Sequence, residues 1–174
     1  MNNPILKIKK GFSIVEALVA ISIVSLAITS ATAVVQGSLQ NSQITRFRIQ
    51  SIHFANEAVE FARNLRDTDI VSEKTFSNGE LKTFVNACNS DDGCFLDVLN
   101  NTYGKCNKDG CDKIYLTEGV GYNSDENGNE TPFKRRVTVN EISGDEISVT
   151  VDVSFSVRGY DETVSVTSYL MNHE

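Results

Sequence analysis

Residues 12–39 carry a single charge, Glu16, and no proline. A helix needs about 20 mostly apolar residues to cross the hydrocarbon core of a bilayer, and residues 14–35 reach that length. The run opens a longer helical pattern, expected over about residues 13–66, and no domain of a 174-residue chain buries a helix of that length fully. The segment must therefore lie in lipid or in a bundle of similar helices. Glu16 is the anomaly. An ionised carboxylate in hydrocarbon is expensive, and intramembrane ionisable residues mark function by default. No cation lies in the same run, and Lys7, Lys9 and Lys10 stand on the far side of Gly11. The chain gives Glu16 no internal partner.

The lysines fix an orientation. By the positive-inside rule they hold the amino end in the cytoplasm and place the body outside. A cleaved secretory signal has a similar basic start, but here the apolar run is too long and a glycine precedes it. The net charge is −7, and residues 1–11 contribute three lysines and no acid, so the remainder is more acidic still. Phosphate binding needs clustered Lys and Arg; an acidic body argues against nucleic acid as a partner. The densest basic spot, Lys134-Arg135-Arg136, reads as a solvated strand end. Cys88, Cys94, Cys106 and Cys111 share one short window. An even count in an exported body favours disulfides. The short loops 88–94 and 106–111 point to two local bridges, one of three possible connectivities. Structural zinc sites usually use Cys-x2-4-Cys knuckles; Cys88-x5-Cys94 is wider than that and Cys106-x4-Cys111 stands at its upper limit.

Helical periodicity continues beyond the apolar run. Ile44, Phe47, Ser51/Ile52, Ala55, Ala58/Val59, Ala62 and Leu65 step by three and four residues, an amphipathic stripe. Arg48, Gln50, Asn56, Glu57, Glu60, Arg63 and Asn64 fill the opposite face. One helix is expected over about 13–66, roughly 80 Å long at 1.5 Å per residue, with Asp67-Thr68-Asp69 as its end region. Residues 67–132 read as an irregular, cysteine-containing insertion with turn signals at Asp91-Asp92-Gly93, Lys108-Asp109-Gly110 and Asn127-Gly128-Asn129. Ile114-Tyr115-Leu116 is its one expected strand. Asp125, Asn127 and Asn129 loosely resemble the start of a calcium loop, although Arg136 stands where such a loop ends in glutamate; a plain solvated loop is the simpler reading.

Residues 133–174 alternate with period two. Phe133, Arg135, Val137 and Val139 share one face; Val149, Val151, Val153, Phe155 and Val157 share another; Val164, Val166, Ser168 and Leu170 form a return strand. Turns are expected at Ser143-Gly144-Asp145 and Gly159-Tyr160-Asp161. The result is a three-stranded meander. Its apolar face needs a cover, and the helical stripe 44–65 is the only long amphipathic helix on offer. The fold class is α+β: a long N-terminal helix, transmembrane in its first half, packed by its second half on a C-terminal antiparallel sheet. The expected divisions are 1–11, 12–39, 40–66, 67–132 and 133–174.

The string Lys9-Lys10-Gly11-Phe12-Ser13-Ile14-Val15-Glu16-Ala17 resembles the processing signal of type IV pilins and type II secretion pseudopilins. That resemblance implies a pilin-like fold, cleavage of the 1–11 leader between Gly11 and Phe12 by a prepilin peptidase, and N-methylation of Phe12. It also implies that Glu16 pairs with the free amine of a neighbouring subunit, which supplies the missing partner. A paired buried charge is tolerable where a lone one is not. Other pilin or pseudopilin subunits, the membrane and an inner-membrane assembly platform are the implied partners. The implied location is the bacterial cytoplasmic membrane, then an extracellular or periplasmic filament. Many major pilins carry a helix-kinking proline in this helix. Here none follows Gly11 before Pro132, which leans towards a minor subunit or a pseudopilin. The order of the closing strands resembles, more weakly, the sheet of minor pilins and small pseudopilins.

No catalytic constellation is visible. His53 and His173 are isolated, no nucleophile motif or phosphate loop occurs, and the cysteine window has no neighbouring histidine. The expectation is a structural protein, not an enzyme, without a cofactor unless the calcium loop is real. The competing readings are a subunit of a type IV pilus (a fimbrium), a pseudopilin of a secretion or DNA-uptake machine, and a stand-alone anchored binding domain.

Overall fold

The computed structural model describes residues 11, 13–74, 78–106 and 112–172. Helix α1 spans Ile14–Val71 and helix α2 spans Glu80–Cys88. Seven strands follow: β1 Cys94–Asp97, β2 Thr102–Lys105, β3 Lys113–Thr117, β4 Gly121–Asn123, β5 Asn129–Ser143, β6 Glu146–Val157 and β7 Tyr160–Met171. The chain divides into two compact units, residues 1–43 and 44–174.

In the first unit α1 is apolar and exposed. Ile14, Leu18, Ile21, Val24, Ile28 and Val35 all face outward, and no part of the most apolar 18-residue window is buried. The segment's hydroxyls are tied to its own backbone. Ser22 Oγ donates to Leu18 O, Ser25 Oγ to Ile21 O and Thr32 Oγ1 to Ile28 O, each at 2.8 Å. In hydrocarbon, where no water can satisfy a hydroxyl, such back-bonding removes the penalty.

In the second unit the same helix buries one face. Phe54, Ala55, Ala58, Val59, Phe61 and Ala62 are buried, with Ile44, Phe47 and Leu65 packed at the margin. The expected stripe misses Phe54 and Phe61 and includes Ile52, which is exposed. Phe54 stacks edge-on against Phe133 and Tyr122, at 5.3 and 4.9 Å between ring centres. Phe61 meets Phe84 of α2 and Tyr103 of β2. The buried face is thus wider than one stripe, because it covers both the sheet and α2.

β5 organises the sheet. β6 pairs along one of its edges and β7 lies outside β6; the other edge is shared between β3, which pairs with the start of β5, and β1, which meets Val137. Val137, Val139, Val149, Val151 and Val153 are fully buried under the helix. The meander of β5, β6 and β7 and the strand at residues 114–116 are as expected. Residues 67–132 are not merely irregular: they hold α2 and four short strands that join the same sheet. The final hairpin also turns earlier than the glycine pattern implied. Val157 pairs with Tyr160, leaving Arg158 (φ 50°) and Gly159 (φ 79°) as a two-residue loop. Two positive φ values in succession mark the type I′ geometry that matches strand twist. Tyr160 and Asp161 therefore lie in β7.

Helix α1 ends at Val71 and not near Arg66. Thr68 and Asp69, read as terminators, serve other ends. Thr68 Oγ1 bonds back to Asn64 O at 2.8 Å. The buried Asp69 carboxylate accepts from the backbone N–H groups of Glu80 (3.0 Å) and Leu81 (2.8 Å), capping α2 from a distance. Gly79 makes room for it: a Cβ there would stand 1.9 Å from Asp69 Oδ2.

Candidate processing and assembly site

Gly11 is exposed, and a Cβ placed on it would meet nothing within 4 Å. Phe12 and the three lysines lie outside the described residues. Helix α1 begins at Ile14, and Glu16 is the acidic residue of its first turn. A carboxylate there is favoured by the helix dipole. Glu16 is exposed and forms no ion pair or hydrogen bond among the described residues. The chain thus presents an open glycine, then a helix start, then a carboxylate without a partner, on a segment whose apolar side chains are also uncovered.

A family model described as the prokaryotic N-terminal methylation motif matches residues 6–32. The chain carries a prepilin-type signal. This signal covers Gly11, Phe12 and Glu16 together with most of the apolar segment, and it supports a subunit of pilin or pseudopilin type. No curated protein and no solved structure matches the chain.

The remaining candidate residues lie apart from the prepilin-type signal. Cys88, at the end of α2, and Cys94, at the start of β1, are joined by a disulfide with Cα atoms 4.7 Å apart. Cys106 is also disulfide-bonded, and Cys111 lies outside the described residues. Asp125 Oδ1 accepts from the backbone N–H and the side-chain amide of Asn127, while Asn129 opens β5 and pairs with Leu116. Among the described residues no group of three or more His, Cys, Asp or Glu is placed to hold a metal. His53 is exposed, and His173 lies outside the described residues.

The basic trio was misread in one member. Arg136 is exposed and faces Asp112 at 3.5 Å, but Arg135 is 5 % exposed, on the inner face of β5. Its Nη1 donates to Glu57 Oε2 (2.8 Å) and Phe54 O (3.2 Å), and its Nη2 donates to Leu96 O (2.6 Å). Burial pushes the guanidinium pKa down, opposed by Glu57. Arg135 ties α1 to β1 and β5 through the core. Its position in the Phe133-Arg135-Val137 alternation carried that signal, but its charge argued the other way.

Proposed function

We propose that this protein is a structural subunit, of the minor kind, of a type IV pilus or pilus-like filament. The observation that carries the reading is the prepilin-type signal at residues 6–32, joined to an unpaired Glu16 on an exposed apolar helix. A prepilin peptidase cuts after Gly11, the new amine on Phe12 is methylated, and that amine in one subunit meets Glu16 of the next. The pair neutralises a charge that hydrocarbon would not accept alone. It also sets the axial offset between helices whose other contacts are apolar and small. Assembly passes through the membrane, where the lysines hold the leader in the cytoplasm, and an inner-membrane platform receives the processed subunit. The absence of a proline between Gly11 and Pro132 supports the minor assignment; a pseudopilin of a secretion or DNA-uptake machine would use the same chemistry.

Amino-terminal sequencing of the membrane-extracted protein tests the cut. The expected mature chain begins with N-methylated Phe12. An intact Met1 would return the protein to a stand-alone anchored domain. Glu16→Val should remain in the membrane and fail to enter filaments; normal incorporation would sink the pairing role.

A further inference from the structure

The two flanks of the head carry opposite charges at one height. α1 runs in the same direction as β7, since Arg48 meets Glu162 and Arg63 meets Ser168. The start of β7 therefore lies at the Ile44 end of the head. On that flank stands the Arg158–Gly159 loop, which joins β6 to β7. On the other flank the turn between β3 and β4 lies just past the pair Leu116–Asn129, at the start of β5. Tyr122 of β4 accepts a hydrogen bond from Gln50 of α1, so this turn also belongs to the Ile44 end.

Arg158 is not what its loop calls for. The first position of a type I′ turn needs positive φ and favours Asn, Asp or Gly. Arg158 holds φ 50° there, at a cost in backbone strain. It is exposed and forms no ion pair among the described residues. Glu162, close by, is already held by Arg48 and Tyr160. The opposite turn is acidic. Glu118 and Glu126 are exposed and likewise form no ion pair among the described residues, and residues 117–129 contain no lysine or arginine. Gly128 lets the two acids share a corner: a Cβ there would stand 2.8 Å from Thr117 Oγ1. The corner is also apolar. Val120 is 57 % and Leu99 50 % exposed, and a Cβ on Gly121 would meet Leu99 Cδ1 at 3.5 Å.

We propose that the β6–β7 loop of one copy of this chain docks on the β3–β4 turn of a second copy standing the same way up. Arg158 meets Glu118 and Glu126, and Tyr160 covers Val120 and Leu99. Because unlike surfaces meet, both α1 helices run parallel and share one membrane. A two-fold contact about an axis along the helices would set Arg158 against Arg158, or Glu118 against Glu118, which like charges oppose. Each copy keeps one loop and one turn free, so the contact repeats into a ring or an open helix. An exposed ion pair with little apolar cover is weak in water, so the contact forms between copies concentrated by their apolar helices. The proposal rests on the anchored-subunit reading, not on the Glu16 pairing.

Cysteine-crosslinking of the full chain in membranes tests it. Val120→Cys and Tyr160→Cys, each expressed alone, should give no dimer. Co-expressed, they should give a disulfide-linked mixed dimer and nothing larger. Placed in one chain, they should give a ladder of higher oligomers. Arg158→Glu should abolish that ladder, and adding Glu118→Arg should restore it. Arg158→Asn suits the positive φ better, so the thermal midpoint of the head should hold or rise while the ladder is lost. No mixed dimer, equal dimers from either cysteine alone, or a ladder that survives both Arg158 changes would each overturn the proposal. Repeating the co-expression with Glu16→Val separates the two readings. The mixed dimer is expected in membranes where filaments are lost, and a missing dimer beside normal filaments would sink this contact alone.

Discussion

Helix α1 is one element with two chemistries. In residues 14–43 its large apolar side chains are exposed; in residues 44–71 one face, with Phe54, Val59 and Phe61, is buried against sheet and α2, while Ile49, Ile52 and Val71 stay exposed. The backbone is the same, and so is the preference for aliphatic and small residues. What differs is whether the protein itself supplies the apolar surroundings. The second half folds against its own chain, whereas the first needs lipid or other helices, and only that half carries the prepilin-type signal.

The comparison can be broken by truncating each half. Phe54→Ala should lower the unfolding free energy of the head by about 3–5 kcal/mol, the usual range for a buried phenylalanine. Leu18→Ala should leave it unchanged. Both are read by denaturation of the detergent-extracted protein, and an equal loss from Leu18→Ala would show that the first half is packed within the monomer. Arg135→Ala sharpens the contrast between a charge the head pairs internally and Glu16, which it does not. It should cost about 3–5 kcal/mol, because Glu57 and two carbonyls lose a buried partner; Arg135→Met, which restores volume, should cost less.

A smaller effect lies at the far end of the helix. Gly79→Ala should displace the Asp69 carboxylate and lose about 1–3 kcal/mol as the buried Leu81 N–H and the part-buried Glu80 N–H lose their acceptor. Hydrogen exchange at Glu80 and Leu81 would detect the same change locally. The smallest concerns the half-exposed pair Arg48–Glu162, 2.7 Å apart. The hydrogen bond from Arg48 holds the Glu162 pKa below its ordinary value. Its contribution is therefore present above the ordinary carboxylate pKa and is lost as pH falls through the depressed one. A wild-type advantage over Glu162→Gln in pH-dependent melting should shrink on acidification and with added salt. An advantage that grew in acid would contradict the pairing.

Much of this was legible in the residues, and the failures share a cause. The meander showed because three long strands each carry their own alternation. β1, β2 and β4 did not, because three or four residues hold no period, and their pairing is set by partners distant in sequence. The helix stripe was visible, but its width was not: Phe54 and Phe61 lie one step off it and are buried by Tyr122, Phe84 and Tyr103 from the insertion. Asp69 read as a helix terminator because no sequence rule shows a carboxylate capping another helix eleven residues later. For the prepilin-type signal the local string was sufficient, since that motif is short contiguous sequence.

The self-bonded hydroxyls of residues 22–32 bear on how a subunit changes surroundings. Leaving lipid for a bundle breaks none of these bonds, because none was made to lipid or to a neighbour. For the serines and threonines the passage is nearly neutral, and the apolar surfaces exchange one hydrocarbon contact for another. Such a helix can slide and rotate against its neighbours with little resistance. Under the proposed pairing Glu16 alone would change its bonding on arrival, so a single carboxylate would act as the detent that stops the slide.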